Sequence, residues 1–202
     1  MKEGEHPGAA APFNPEVGKL ARRIRTETLR LSDFAGLSIA EAAEVIRHEP
    51  VEHALIYQPG GRALAYAKSR PGTPKEVTIP MREARFLSGN IFVHNHPDNE
   101  SFSYQDTWLL LRHGAREVRA YGPKRAFVMS SQPEMRAFTY ENDKEGIKAL
   151  ITKYMEVQRE TTPPFRELVR GGTFTEAEAW AAQTHGIMRT IARIYRFTYA
   201  EL

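Results

Sequence analysis

The chain has 202 residues, 41% hydrophobic and 26% charged, enough for one sizeable core of a globular protein. Its formal charge of +3 is too slight to argue for nucleic acid by itself, and the absence of cysteine excludes disulfides and any thiolate-held metal. No apolar run approaches the roughly 20 residues of a membrane span, and the opening MKEGEHPGAAAPFNP lacks the apolar stretch of a signal peptide, so no membrane contact and a cytoplasmic location are expected.

Residues 1–13, rich in Gly, Ala and Pro, read as a loose tail. A helical segment over 14–50 follows. Asn14 can cap a first helix with Pro15 at its first position, and Val17, Leu20, Ala21, Ile24, Thr28 and Leu31 keep the helical period. The arginines off that stripe read as a solvated face. A second helix should start at Ser38, with Glu41 completing a capping box, and run to about His48. Residues 51–132 read as a core of short strands and helices. Ala54–Tyr57 and Ala63–Ala67 form a hairpin across Pro59-Gly60-Gly61. After a turn cluster at Arg70–Pro74, Glu76–Ile79 reads as a strand, Met81–Ser88 as a short helix closed by Gly89, and Ile91–His94 as a strand. An amphipathic helix is expected over Asp106–Val118, then two strands, Arg119–Tyr121 and Ala126–Met129, around Gly122-Pro123. The remaining 133–202 reads as a helical extension, with segments near 143–159, 164–170 and 175–195, the last capped by Thr175 and Glu178. Its Trp180, Ile187, Ile191, Ile194 and Tyr195 are expected in the core. The pattern predicts an α+β fold, a small mixed sheet flanked by helices, with helical extensions at both ends.

The chemistry-bearing stretch is Ile91-Phe92-Val93-His94-Asn95-His96-Pro97, followed at a short distance by Ser103-Tyr104-Gln105-Asp106. Alternate side chains of a strand share a face, so His94 and His96 project together, and Pro97 ends the strand. Ser103 sits where a helix should begin, which puts Asp106 in its first turn. Two imidazoles and a carboxylate suit a three-ligand zinc site with an open fourth position. With seven histidines in the chain, a chance His-x-His arises about one time in four; Ser and Asp at fixed offsets lower this to about one in several thousand. His48, His113 and His185 have no partner spacing and read as structural. His53 would face away from Glu52 on a strand and reads as packing. Asp98 and Glu100, in the loop, would either shift the site's pH behaviour or be solvated.

His94-x-His96-Pro97 with Ser103-x-x-Asp106 resembles the signature of the JAMM/MPN (JAB) zinc metalloproteases, and His94-Asn95-His96-Pro97 is closest to their RadC-like branch. The resemblance covers about residues 51–130; the loop between His96 and Ser103 is one residue shorter than usual, and the RadC-like Pro-Ser-Gly is replaced by Pro97-Asp98-Asn99. It implies zinc on His94, His96 and Asp106, and a zinc-bound water whose pKa falls to about 7. It also implies an upstream glutamate as general acid/base. Glu52 occupies that place, with Glu49 and Glu76 as rivals. Ser103, with no free histidine to activate it, would steady the oxyanion rather than attack. The reaction implied is hydrolysis of an amide, peptide or isopeptide bond in a protein or peptide substrate. Two other readings stay open: a JAB-fold assembly module without protease activity, and a RadC-like, DNA-associated or phage- or toxin-associated metalloprotein, which the N-terminal arginines permit.

Overall fold

A computed structural model describes residues 29–69, 73, 76–131 and 143–202. The tail, the helix expected from Asn14 to Thr28, most of the turn cluster at 70–74 and the boundary at Gln132-Pro133 lie outside the described residues. After a short 3-10 turn at Leu31–Phe34, the elements run α1 (Ile39–Ile46), β1 (His53–Tyr57), β2 (Ala63–Lys68), α2 (Met81–Ala84), β3 (Ile91–Asn95), α3 (Tyr104–Arg112), β4 (Glu117–Tyr121), β5 (Ala126–Ser130), α4 (Asp143–Arg170), α5 (Glu176–Tyr195) and β6 (Thr198–Glu201). The class is α+β.

The strands form one six-stranded mixed sheet in the order β2-β1-β3-β4-β5-β6. Every neighbouring pair is antiparallel except β3 and β4, which run parallel. A parallel pair cannot be joined by a hairpin, so α3 makes the crossover. β1 and β3, in the middle, are buried on both faces, as their unbroken apolar runs require. Leu55, Tyr57, Ile91 and Val93 pack against Phe34 and α1. Ala54, Ile56 and Phe92 turn the other way, into a larger core with Leu110 of α3, Leu150 of α4 and Ile187, Met188 and Ile191 of α5.

Four expectations need correction. Glu76–Ile79 is not a strand: its Val77 N–H is donated to the Glu52 carboxylate, and Val77 and Ile79 pack on the core without joining the ladder. The helix expected over Asp106–Val118 stops at Arg112, and Gly114 then takes a positive φ of 64°. Leu111, Ala115 and Val118 share a helical spacing only by coincidence; Val118 and Ala120 are the buried alternation of a strand. The prolines Pro163 and Pro164 do not split the next helix, which runs unbroken as α4. Upstream carbonyls there accept from Thr161, Thr162 and the Gln183 amide. Trp180 and Ile194, expected in the core, are exposed at 37% and 47%, while Ile187, midway between them on the same helical face, is fully buried. β6 was not expected; only the free edge of β5 gives Thr198–Glu201 a ladder to join. Among the described residues no helix is long and apolar enough to cross a membrane.

Candidate metal centre

β3 carries His94 into the larger core, where burial is almost complete at 1% exposure. The chain leaves the strand after Asn95, but His96 N–H still donates to Tyr121 O at 3.0 Å, prolonging the parallel ladder by one step. His94 and His96 therefore keep the same face. α3 begins at Ser103, the N-cap, in extended conformation. Asp106 lies at its third position and completes a capping box, so the helix start that the sequence announces is also what delivers the third group.

Nε2 of His94 lies 2.8 Å from Nε2 of His96 and 3.2 Å from Asp106 Oδ1, and His96 Nε2 lies 3.8 Å from Asp106 Oδ2. Tetrahedral bonds of about 2.0–2.1 Å to a central ion would set neighbouring donor atoms about 3.3 Å apart; the separation of His94 from Asp106 Oδ1 meets that value and the separation of the two imidazoles falls short of it. Among the described residues this is the group of His and carboxylate side chains that could hold a metal ion. The surroundings fix the donors. His96 Nδ1–H donates to Glu100 O at 3.0 Å, which leaves the Nε2 lone pair for the site. Ser103 donates twice to Asp106 Oδ2, from its backbone N–H and its hydroxyl, each at 2.7 Å, so Oδ1 is the oxygen left to turn toward His94. Two imidazoles and one carboxylate suit zinc and ferrous iron alike.

The electrostatics follow from packing these groups in a dry place. Burial alone would lower His94, but the Asp106 carboxylate, by charge and hydrogen bond, and Glu52 outweigh it and hold the ring above its ordinary value. Burial and the neighbouring His94 push His96 down to about 4. Burial opposes the Asp106 charge, yet the two histidines and Ser103 hold its carboxyl well below the usual range. The cluster thus offers an ionised carboxylate and, at His96, a neutral imidazole lone pair, while His94 holds a proton more readily than a free imidazole does.

Glu52 comes to the same place by register. β1 and β3 pair with Ala54 opposite His94, and the same antiparallel register carried one pleat further sets Glu52 opposite His96. Its Oε1 is 3.9 Å from His96 Nε2, while Oε2 accepts the Val77 N–H at 3.1 Å. Burial raises its carboxyl to about 7; Asp106 and Glu100 add to the rise, and His94 and the Val77 N–H oppose it. Glu49 and Glu76 are not brought to the cluster. Glu49 meets the site strand through its backbone carbonyl, which accepts from Asn95 Nδ2, and Glu76 is exposed. His53 faces the α1 side and meets Tyr66, and the cluster includes neither it nor His48, His113 or His185.

Sequence reasoning missed several supports. Asn95, fully buried between the two histidines, points to the opposite face. Its Oδ1 accepts from His53 N–H at 2.7 Å and its Nδ2 donates to the carbonyls of Glu49 and Val51. One side chain thus clips the segment carrying Glu52 to the strand carrying the histidines; a polar residue inside an apolar strand was the available signal. Phe102, at 0% exposure, wedges its ring beneath both imidazoles. Ser101 is tied to the far end of the chain, its hydroxyl 2.6 Å from Tyr199 Oη and its N–H donating to Thr184 Oγ1. No local pattern signals those two contacts. Comparison of the chain with protein-family models, curated proteins and solved structures finds no match.

Proposed function

We propose that this chain is a zinc-dependent hydrolase of JAMM/MPN type that cleaves an amide, peptide or isopeptide bond. The observation that carries the reading is Glu52: a carboxylate on the same face as His94, His96 and Asp106, 3.9 Å from His96, buried, and raised to about 7. Zinc, when bound, supplies a Lewis acid that polarises a carbonyl and makes water acidic near neutral pH. The chain's own residues do the rest. His94, His96 and Asp106 would hold the ion. Glu52, pinned through Oε2 by Val77, keeps Oε1 turned inward, takes a proton from the attacking water and returns it to the leaving amine. Ser103 serves first by holding Asp106; its hydroxyl proton already goes to Oδ2, so donation to an oxyanion requires that bond to be released.

Hydrolysis needs no change of oxidation state, which favours zinc over iron in this donor set. Metal analysis of the purified protein is expected to give one zinc per chain, lost in the His94→Ala/His96→Ala double variant. Glu52→Gln is expected to keep the zinc and lose about 10²- to 10⁴-fold in hydrolysis of peptide and isopeptide substrates. Equal zinc in the double variant would overturn the site. Unchanged turnover in Glu52→Gln would remove the glutamate from the mechanism, and an inert zinc-loaded wild type would leave the assembly module in its place.

A further inference from the structure

A second cluster stands apart from the metal centre. Arg189, Arg193 and Arg196 follow one another at i, i+4 and i+7, so α5 and its C-cap present them along a single face. With Ala192, Phe197 and Tyr199 they line an open cleft of about 450 Å³. All three arginines are exposed, and among the described residues none forms an ion pair. The nearby acid of β6, Glu201, is already held by Arg125 at 2.7 and 2.8 Å. A helix C-terminus welcomes a cation, but its macrodipole amounts to about half a negative charge, a fraction of the three positive ones gathered there.

The backbone adds an independent observation. Arg196 caps α5 in the left-handed region, with φ 57° and ψ 38°. Among the described residues only Asn99 is another non-glycine with positive φ. Glycine suits this position best, since any Cβ is disfavoured there. What glycine could not supply is the guanidinium.

We infer that this cleft is an anion-binding site for a phosphate-bearing ligand. Three like charges on one face repel each other, and a phosphate group, with up to two negative charges and several acceptor oxygens, answers them better than a single carboxylate. The planar forks of arginine match its oxygens bidentately. The floor is firm: Tyr199 stacks on Phe127, and its hydroxyl is held between Ser101 and His185. None of the cleft's residues belongs to the metal cluster, so binding there does not depend on the proposed hydrolysis.

Calorimetric titration of the full chain with inorganic pyrophosphate and, separately, with a short oligothymidylate tests this at about 0.15 M salt. Binding of at least one probe is expected, weakened about tenfold or more by Arg193→Ala, the loss of one charge-assisted contact. Arg196→Gly is expected to weaken binding while raising the melting temperature, a pair of changes that a purely structural arginine would not produce. Binding of pyrophosphate alone marks a site for a free phosphate compound. Binding confined to the oligonucleotide, with steep salt dependence, marks a nucleic-acid backbone. Failure of both probes to bind, or equal binding by wild type and folded variants, overturns the site.

Discussion

Asp106 could present either oxygen to a metal, and Ser103 decides which. By taking Oδ2 with two 2.7 Å hydrogen bonds, the serine leaves Oδ1 for the cluster and lowers the carboxyl's affinity for a proton. The same pair closes the first turn of α3, so helix capping and the orientation of the candidate metal ligand are one interaction. Ser103→Ala should therefore do two things at once. It should cost about 1 kcal/mol of stability, as N-cap losses do, and weaken zinc binding about 10- to 100-fold, as the loss of a ligand's outer hydrogen bond does. Thermal melting and competition with a zinc chelator read the two effects separately. A stability loss with unchanged zinc affinity would confine Ser103 to the cap.

At the level of elements, the site depends on how closely the β4–β5 turn approaches the loop after His96. A Cβ on Gly122 would lie 2.7 Å from Asn99 Oδ1, 2.8 Å from Asn99 Cα and 3.1 Å from His96 O. Two of these are backbone atoms and cannot swing aside. Gly122 is also held in place, donating to Arg125 O and accepting from Arg47. Gly122→Ala is expected to push the loop from His96 to Ser103 outward, costing about 1–3 kcal/mol as overpacking does. Zinc affinity should fall with it, since His96 anchors that loop. A variant with wild-type melting and zinc affinity would show that the turn yields instead.

For the whole molecule, one buried histidine ties folding to pH. His53 is 1% exposed, with Nδ1 on Tyr66 Oη at 2.8 Å and Nε2 buried without a hydrogen bond. Burial, with Lys68 adding to it, pushes the ring down to about 4 from an ordinary 6.5. Between those values the unfolded chain takes the proton and the folded one refuses it. Stability is therefore complete above about pH 6.5 and falls as the pH drops toward 4, by about 3 kcal/mol from this group. Urea unfolding across that range should show a flatter pH dependence for His53→Gln than for wild type; parallel curves would mean that His53 protonates without cost. The molecule's other global feature is the return of its C-terminus. β6 lies at the sheet edge, and Tyr199, with Thr184 of α5, holds Ser101 in the loop between His96 and Ser103.

The elements around the candidate site were legible because each rests on a local rule. The geometry of a strand, in which alternate side chains share a face, put His94 and His96 together, and Ser103 with Asp106 announced a helix start. Ser38 with Glu41 and Thr175 with Glu178 did the same for α1 and α5. Where periods coincide the rule fails, as at Leu111, Ala115 and Val118, which fit a helix and belong to a helix end, an isolated bridge to Ser88 and a strand. Tertiary structure alone decided the rest. The register of β1 on β3 chose Glu52 over Glu49 and Glu76 as the carboxylate beside the histidines. β6 formed because β5 offered an open edge, and Asn95, Phe102 and Tyr199 became supports through contacts that only packing makes. The physical reason is distance along the chain: caps and alternation act within a few residues, whereas register, edges and buried hydrogen bonds join segments far apart in the chain, where a sequence read on its own carries no record of who meets whom.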